Sequence, residues 1–327
     1  LKVLVTGGAG FLGRNVVSSL VEAGHEVVLL VRGGRRPGLP ETAAVIEGDV
    51  RDAELFKSAA TGCGAIIHTA AMVKIWSARP EDFDDINVGG IRNAIGAARA
   101  QNIRLVYTSS FMAVGPTTES GVDEAQTHPG PPFHNDYERT KALADELARA
   151  YAAEGGDIVI LYPGVVYGPG ELTDGNIIAK MLADRMNGRL PGIVGPGDRL
   201  WSYAFVEDVA RAHVEALSRG RRGERYLLAG DNATLTAVFA AASARAGRDL
   251  SPRRLPYGLS RLVGRAMWFW ADLTGKMPDL THQAVGIFEK NWAYRSDKAV
   301  RELGYRVRPL AEGIGETVDW LVAEGHA

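Results

Sequence analysis

The chain has 327 residues, 46% of them hydrophobic and 23% charged, with a formal net charge of −2 at pH 7. This is the composition of a soluble globular protein of one large domain or two linked ones, and the overall balance points to neither nucleic acid nor an anionic membrane as partner. A single cysteine, Cys63, rules out an internal disulfide, makes a Cys-based metal site unexpected, and fits a reducing, cytoplasmic setting. No apolar run reaches the ~18 residues of a membrane span, the chain opens directly on a strand rather than a leader, and there is no internal repeat.

Lys2 to Thr6 is a short apolar run that reads as a buried strand. Gly7, Gly10 and Gly13 follow at TGxxGxxG spacing, and Arg14 to Ala23 then shows helical periodicity. Strand, glycine turn and helix in that order form a dinucleotide-binding turn. Gly7 permits the tight turn, Gly10 lets backbone approach a pyrophosphate, and Gly13 lets helix and strand pack closely. The N–H groups of Phe11, Leu12 and Gly13 at the helix start then face the phosphates, and the helix dipole favours their charge.

Glu26 to Val31 is the second strand and ends at Arg32, before Gly33, Gly34, Arg35 and Arg36. An acidic residue at this strand end takes the ribose 2′-hydroxyl of NAD, whereas arginine suits a 2′-phosphate. NADP(H) is therefore preferred, with NAD(H) left open. Ala44 to Glu47 is the third strand. Behind it lies Gly48-Asp49-Val50-Arg51-Asp52, where Asp49 and Val50 are candidates for the adenine edge and Asp52 for the N-cap of a helix over 53–60. Gly64 to His68 is the fourth strand. The small residues after it, Thr69, Ala70 and Ala71, leave room for a flat ligand, and His68 itself reads as a packed structural residue. Val73 and Trp76 lie on an aromatic-containing loop that could line a pocket. Glu81 to Gln101 reads as one long helix containing Asn87.

Ile103 to Thr108 is the fifth strand, followed by Ser109, Ser110, Phe111 and Met112. Tyr137 and Lys141 stand four apart at the start of an Ala/Leu/Glu-rich helix, so both side chains share one face. A tyrosine of ordinary pKa near 10 is a poor general base at neutral pH unless its anion is stabilised, and a nearby ammonium supplies that stabilisation. Tyr137 is thus the expected proton donor and acceptor, with Lys141 lowering its pKa and Ser110 orienting a substrate oxygen.

The segments TGGAGFLG, GDVRD, HTAA, NVGGIRNAI, YTSS, YERTK, YPGVVYGPG, FVEDVA and LGYRVRPLAEGIGETVDWL span almost the whole chain. Together they resemble an extended short-chain dehydrogenase/reductase, most similar to the dihydroflavonol-reductase and 3β-hydroxysteroid-dehydrogenase-like branch. The resemblance implies a Rossmann-type doubly wound parallel sheet, α/β in class, with a smaller, mostly helical C-terminal domain. Residues 1–165 plus about 204–230 would bind the dinucleotide, and about 166–203 plus 231–327 the substrate. It implies that Thr108, Tyr137, Lys141 and the run Pro163-Gly164-Val165-Val166 contact the nicotinamide end, that Asn87 holds Lys141 through water, and that a homodimer forms through helices around 81–101 and 137–153. Sugar-nucleotide members commonly read SSxxVYG; here Val114 replaces that tyrosine, which argues against a sugar substrate.

Asp157 to Leu161 is the sixth strand. Beyond it come helices over 175–188, from Val206, and over 235–247, 257–275 and 310–323, with a last strand at 225–229. Met267-Trp268-Phe269-Trp270 makes the helix over 257–275 apolar on all sides, read here as core packing in preference to a substrate wall. Tyr167, Met181, Trp201 and Trp268 complete the substrate candidates. The expected activity is hydride transfer between NADP(H) and a hydrophobic ketone or secondary alcohol, without a metal. A sugar-nucleotide epimerase or dehydratase, gripping a pyrophosphate with Arg185 and Arg189, and a catalytically idle cofactor-binding module are the alternatives.

Overall fold

A computed structural model describes residues 1–33, 38–119 and 121–327; Gly34, Arg35 and Arg36, read from the sequence as following the second strand, lie outside them. Seven strands form the main sheet: β1 (Lys2–Thr6), β2 (Glu26–Val31), β3 (Ala44–Glu47), β4 (Ala65–His68), β5 (Arg104–Thr108), β6 (Ile158–Pro163) and β10 (Arg225–Leu228). Outside that sheet lie β7 (Val165–Tyr167), β8 (Ile193–Val194), β9 (Leu200–Phe205), β11 (Asp231–Thr234) and β12 (Arg254–Leu255). The main sheet is parallel throughout, in the order β10-β6-β5-β4-β1-β2-β3. Its central strands are near-continuous apolar runs because both faces are covered.

Twelve helices flank the strands: α1 (Phe11–Glu22), α2 (Ala53–Ala59), α3 (Glu81–Phe83), α4 (Gly90–Gln101), α5 (Asp136–Ala153), α6 (Ile177–Met186), α7 (Val206–Ser218), α8 (Leu235–Ala246), α9 (Tyr257–Thr274), α10 (His282–Phe288), α11 (Asp297–Leu303) and α12 (Leu310–Ala323). One face of the sheet packs against Val16 and Leu20 of α1, Val209 and Ala216 of α7, and Leu303 of α11. The other packs against Phe56 of α2, Ile91 and Ala94 of α4, and Ala144 and Ala148 of α5. A third core joins α6, α8 and α12 to β7 and β9 through Leu182, Phe239, Val318 and Tyr203. The segment read as one helix over 81–101 is interrupted by a π-helical turn, Asp84–Gly89, which contains Asn87. Such turns insert one residue into a helix and re-aim its side chains.

From β1 the chain runs outward one way through β2 and β3, then returns to β4 and runs the other way through β5 and β6. A crevice forms where this direction reverses, at the carboxyl ends of β1 and β4. Thr6 and His68 sit opposite each other there, with His68 also opposite Tyr107.

Candidate active site

The glycine turn after β1 is shaped by three different constraints. Gly7 has φ +73°, and a Cβ there would lie 2.6 Å from the Ala70 nitrogen and the Thr69 Oγ1. Thr69 in turn donates its hydroxyl to the Thr6 carbonyl at 2.7 Å, tying the two strand ends together. At Gly13 a Cβ would stand 2.0 Å from the Gly7 carbonyl oxygen, so this glycine protects the turn itself as well as the helix packing. Gly8, not singled out from sequence, is a packing glycine whose added Cβ would meet Leu29 at 2.8 Å. Gly10 differs: a Cβ would touch only the Gly7 oxygen, at 3.4 Å. It is also the N-cap of α1 and makes no side-chain cap, which leaves the amides of Phe11, Leu12 and Gly13 without a side-chain acceptor. An uncapped helix start beside open space fits a pyrophosphate.

Arg32 stands exposed beyond β2, and its charge is felt at Asp49. Burial works to raise the Asp49 carboxyl, but Arg51 outweighs it and holds the group below its usual value. Arg51 grips Asp49 through Nε at 3.0 Å and Nη2 at 2.9 Å, so the residue expected at the adenine edge is already engaged by a neighbour. Val50 is buried, and its carbonyl accepts from Asn93 at 2.8 Å. Asp52 caps α2 by accepting from the Leu55 nitrogen at 3.0 Å.

Ser110, Tyr137 and Lys141 meet where β5 ends against the first turns of α5. Asn135 starts that helix by accepting from the Glu138 nitrogen at 2.8 Å. The Lys141 ammonium is buried and donates to the Thr108 carbonyl at 2.9 Å and to the Tyr107 hydroxyl at 3.4 Å. Burial pulls its pKa down to about 7, against the opposing charge of Asp145. Enclosure raises the Tyr137 phenol above its usual value, and a hydrogen bond from Ser110 only partly offsets this. The lowered tyrosine pKa expected from the Tyr–Lys spacing is therefore absent in the protein alone. The ammonium spends two of its three donors on β5.

A polar layer, of which the sequence singled out only His68 as a packed structural residue, supports these residues. His68 lies behind Lys141, bonded to Thr6 Oγ1 at 2.7 Å, and burial followed by the lysine charge lowers its pKa to about 3. His213 faces the Val209 carbonyl with Nδ1 at 2.8 Å, which makes Nδ1 the protonated nitrogen; its Nε2 accepts from Thr108 at 2.8 Å. Ser109 donates to Asp145 at 3.2 Å, and Asp145 meets Arg149 at 2.9 Å. Glu138 is buried between His128 at 3.1 Å and His134 at 2.9 Å, an arrangement that overrides its burial and holds it at about 2. Asp145 stands four residues after Lys141 on the same helix face, the one legible signal; nothing in the spacing marks Glu138. Asn87 binds the Met72 nitrogen at 2.8 Å and Thr140 Oγ1 at 3.0 Å. It thus ties the loop after β4 to the helix beside Lys141, and its direct contacts do not include the amine.

Pro163 ends β6 and Val165 starts β7. A Cβ on Gly164 would lie 2.6 Å from the Ser202 carbonyl oxygen, so β9 already requires this glycine, whatever binds above it. Of the substrate candidates, Met181 and Trp201 share a mostly apolar cleft with Ile178, Val194, Leu235 and Phe288, which Arg199 also lines. Trp201 stacks on Phe288 with ring centres 5.0 Å apart. Phe111 packs edge-on against Trp292. Val73 is exposed and Trp76 buried. Two candidates are corrected: Met112, in the 3-10 turn after β5, is buried in the core, and Tyr167 alternates to the inward side of β7, closed in by Tyr203 and Phe205. Trp268 packs edge-on to His282, away from the cleft. Its helix, read as core, is instead largely exposed.

A family model described as the NAD dependent epimerase/dehydratase family matches residues 3–229. The chain belongs to that family. It is therefore a nicotinamide-dependent enzyme with the extended short-chain dehydrogenase/reductase fold. Among relatives of this epimerase/dehydratase member, a putative dihydroflavonol 4-reductase of Synechocystis is 31% identical, with 98% of this chain and 95% of the relative aligned. Sterol demethylase protein B of Methylococcus capsulatus is 29% identical, covering 99% of each. The solved structure named gox2253 superposes with a TM-score of 0.82 at 30% identity, covering 99% of both chains.

Proposed function

We propose that this family member is an NADP(H)-dependent reductase of an apolar ketone, working in reverse on the secondary alcohol. The observation that carries the reading is the convergence of Ser110, Tyr137 and Lys141 at the end of β5, beside the uncapped start of α1. The turn from Gly7 to Gly13 would hold the pyrophosphate, Thr69 to Ala71 the flat rings, Lys141 a ribose, and Arg32 a 2′-phosphate. The chemistry a bound nicotinamide supplies is hydride transfer to the carbonyl carbon. Tyr137, kept protonated by its enclosure, donates its proton to the carbonyl oxygen while Ser110 orients that oxygen. Lys141, with its pKa near 7, would return a proton to the phenolate.

The cleft with Met181, Trp201 and Phe288 supports an apolar substrate, as do the names of the dihydroflavonol and sterol relatives. The competing sugar-nucleotide reading needs basic side chains free to grip a pyrophosphate. Of the two arginines read from the sequence for this, Arg185 donates to the Leu250 and Ser251 carbonyls at 3.0 and 2.9 Å and Arg189 pairs with Asp184 at 3.0 Å, while Arg199, which lines the cleft, lies 3.6 Å from Asp198. Within the same reading, residues 1–165 and about 204–230 hold the cofactor, the rest holds the substrate, and a homodimer forms along α4 and α5. The test is to denature the purified protein and identify the released nucleotide. NADP(H), or an empty site that binds and exchanges NADPH, supports the reductase; stoichiometric, tightly held NAD contradicts it and the role of Arg32.

A further inference from the structure

Helix α9 wears its apolar face outwards. Its inner side is Ser260, Gly264 and Ala271, all buried, and a Cβ on Gly264 would lie 2.6 Å from the His282 nitrogen, so α9 lies directly on α10. The opposite side carries Leu259, Leu262, Val263, Phe269, Trp270 and Leu273, which recur at helical spacing and are between 43% and 70% exposed. Ala266 completes this stripe. A surface helix normally shows the reverse pattern. Single exposed apolar residues need no explanation, but a contiguous face of this kind marks a site of contact.

The charge around the face identifies the contact. Residues 253–279 carry the exposed cations Arg253, Arg254, Arg261, Arg265 and Lys276 against Asp272 and Asp279, in a chain whose overall charge is −2. Arg261 is further engaged by Glu289 at 2.7 Å. The chain-wide balance thus hides a local cationic rim around an apolar stripe that includes phenylalanine and tryptophan. That pairing is the signature of a helix lying in the headgroup plane of an anionic bilayer, with aromatic and leucine side chains inserted and Lys/Arg at the phosphates. A second copy of the chain fits less well, because a self-paired α9 would bring two cationic rims together.

We propose that α9 docks this protein on an anionic lipid bilayer, lying in the interface and not crossing it. Among the described residues no helix is long and apolar enough to span a membrane. At its start α9 is tied to the cleft, since the Tyr257 hydroxyl donates to the carbonyl of Phe288 at 3.1 Å. If the substrate is apolar as proposed above, docking sets the cleft beside the phase where such a substrate concentrates; the docking itself does not depend on that reading.

The test sediments the whole protein with vesicles of phosphatidylcholine alone and of phosphatidylcholine with about one third phosphatidylglycerol. Binding to the mixed vesicles, weakened about tenfold without the anionic lipid or in high salt, is expected. The double variant Phe269→Ser, Leu273→Ser should lose about tenfold in partitioning while its thermal melt by circular dichroism is unchanged. Arg265→Glu with Lys276→Glu, which leaves the apolar stripe intact, should lower binding to the anionic vesicles only. Failure of the wild-type protein to sediment, equal sedimentation of wild type and variants, or a light-scattering dimer that the apolar double variant dissolves would each overturn the proposal.

Discussion

Lys141 answers two demands with one ammonium. It must stay near Tyr137 on the same face of α5, and it must find partners in a buried site, which it does at the Thr108 carbonyl and the Tyr107 hydroxyl. Its folded-state pKa, about 7, lies below the ordinary 10.5. The unfolded chain therefore holds this proton more tightly, and the group costs most stability below pH 7, with the cost fading as pH rises towards 10.5, at about 1.4 kcal/mol per pKa unit. Lys141→Met should accordingly gain stability over wild type at pH 6 and much less at pH 9, as read by urea denaturation at each pH. At the other end of the site, Arg32→Asp should weaken NADPH binding at least about tenfold and spare NADH, measured by fluorescence titration; loss of a charge-assisted phosphate contact is of that size. The Tyr–Lys spacing was legible in the sequence because helical periodicity alone puts the two on one face. Where the amine points was not, because that depends on a carbonyl of β5, more than thirty residues earlier.

At the scale of the element, the first turn was readable because each glycine interrupts an otherwise regular strand-to-helix pattern. Their separate duties were not, since these depend on Thr69 and Ala70 arriving from β4. The difference is testable. Gly10→Ala should fold with an unchanged melting temperature but lose at least about tenfold in cofactor affinity, because only the approach of a ligand's phosphates excludes a side chain there. Gly13→Ala should lose both, since its Cβ would stand 2.0 Å from the Gly7 oxygen. Helix α9 shows the limit of periodicity from the other side. Its composition gives an apolar helix but not which face the small residues Ser260, Gly264 and Ala271 would seat against α10, so an outward apolar stripe looked like core. The π-helical turn at Asn87 was equally invisible, because a one-residue insertion leaves composition unchanged.

Across the whole molecule, the strand order follows from alternating strands and helices, and the reversal between β1 and β4 places the cofactor turn and the Ser–Tyr–Lys group at the same sheet edge. The C-terminal helix is fastened to this body by Arg308, which is almost fully buried. It meets Asp208 at 3.1 Å, Glu207 at 3.4 Å and Glu316 at 2.6 Å, and lies 3.9 Å from the Phe205 ring centre. Arg308→Ala leaves Asp208 as a buried, unpaired charge and should cost about 3–5 kcal/mol in denaturant unfolding. No sequence pattern marks this arginine, since Glu207 and Asp208 lie about a hundred residues away. His68 and His213 make the stability of the fold fall in acid. Both are buried with pKa values lowered from 6.5, to about 3 and about 4. The unfolded state takes up their protons first, so the stability they contribute is present above pH 6.5 and drains away as pH falls towards 4.

The most direct measurement is NADPH-dependent reduction of an aromatic ketone by the wild-type enzyme and by Tyr137→Phe. The variant should fold, bind NADPH within about twofold of wild type, and lose about 10²–10⁴ in kcat, the usual worth of a positioned acid. A variant that keeps more than half of the wild-type kcat would show that Tyr137 is not the proton donor and that the Ser–Tyr–Lys assignment is wrong.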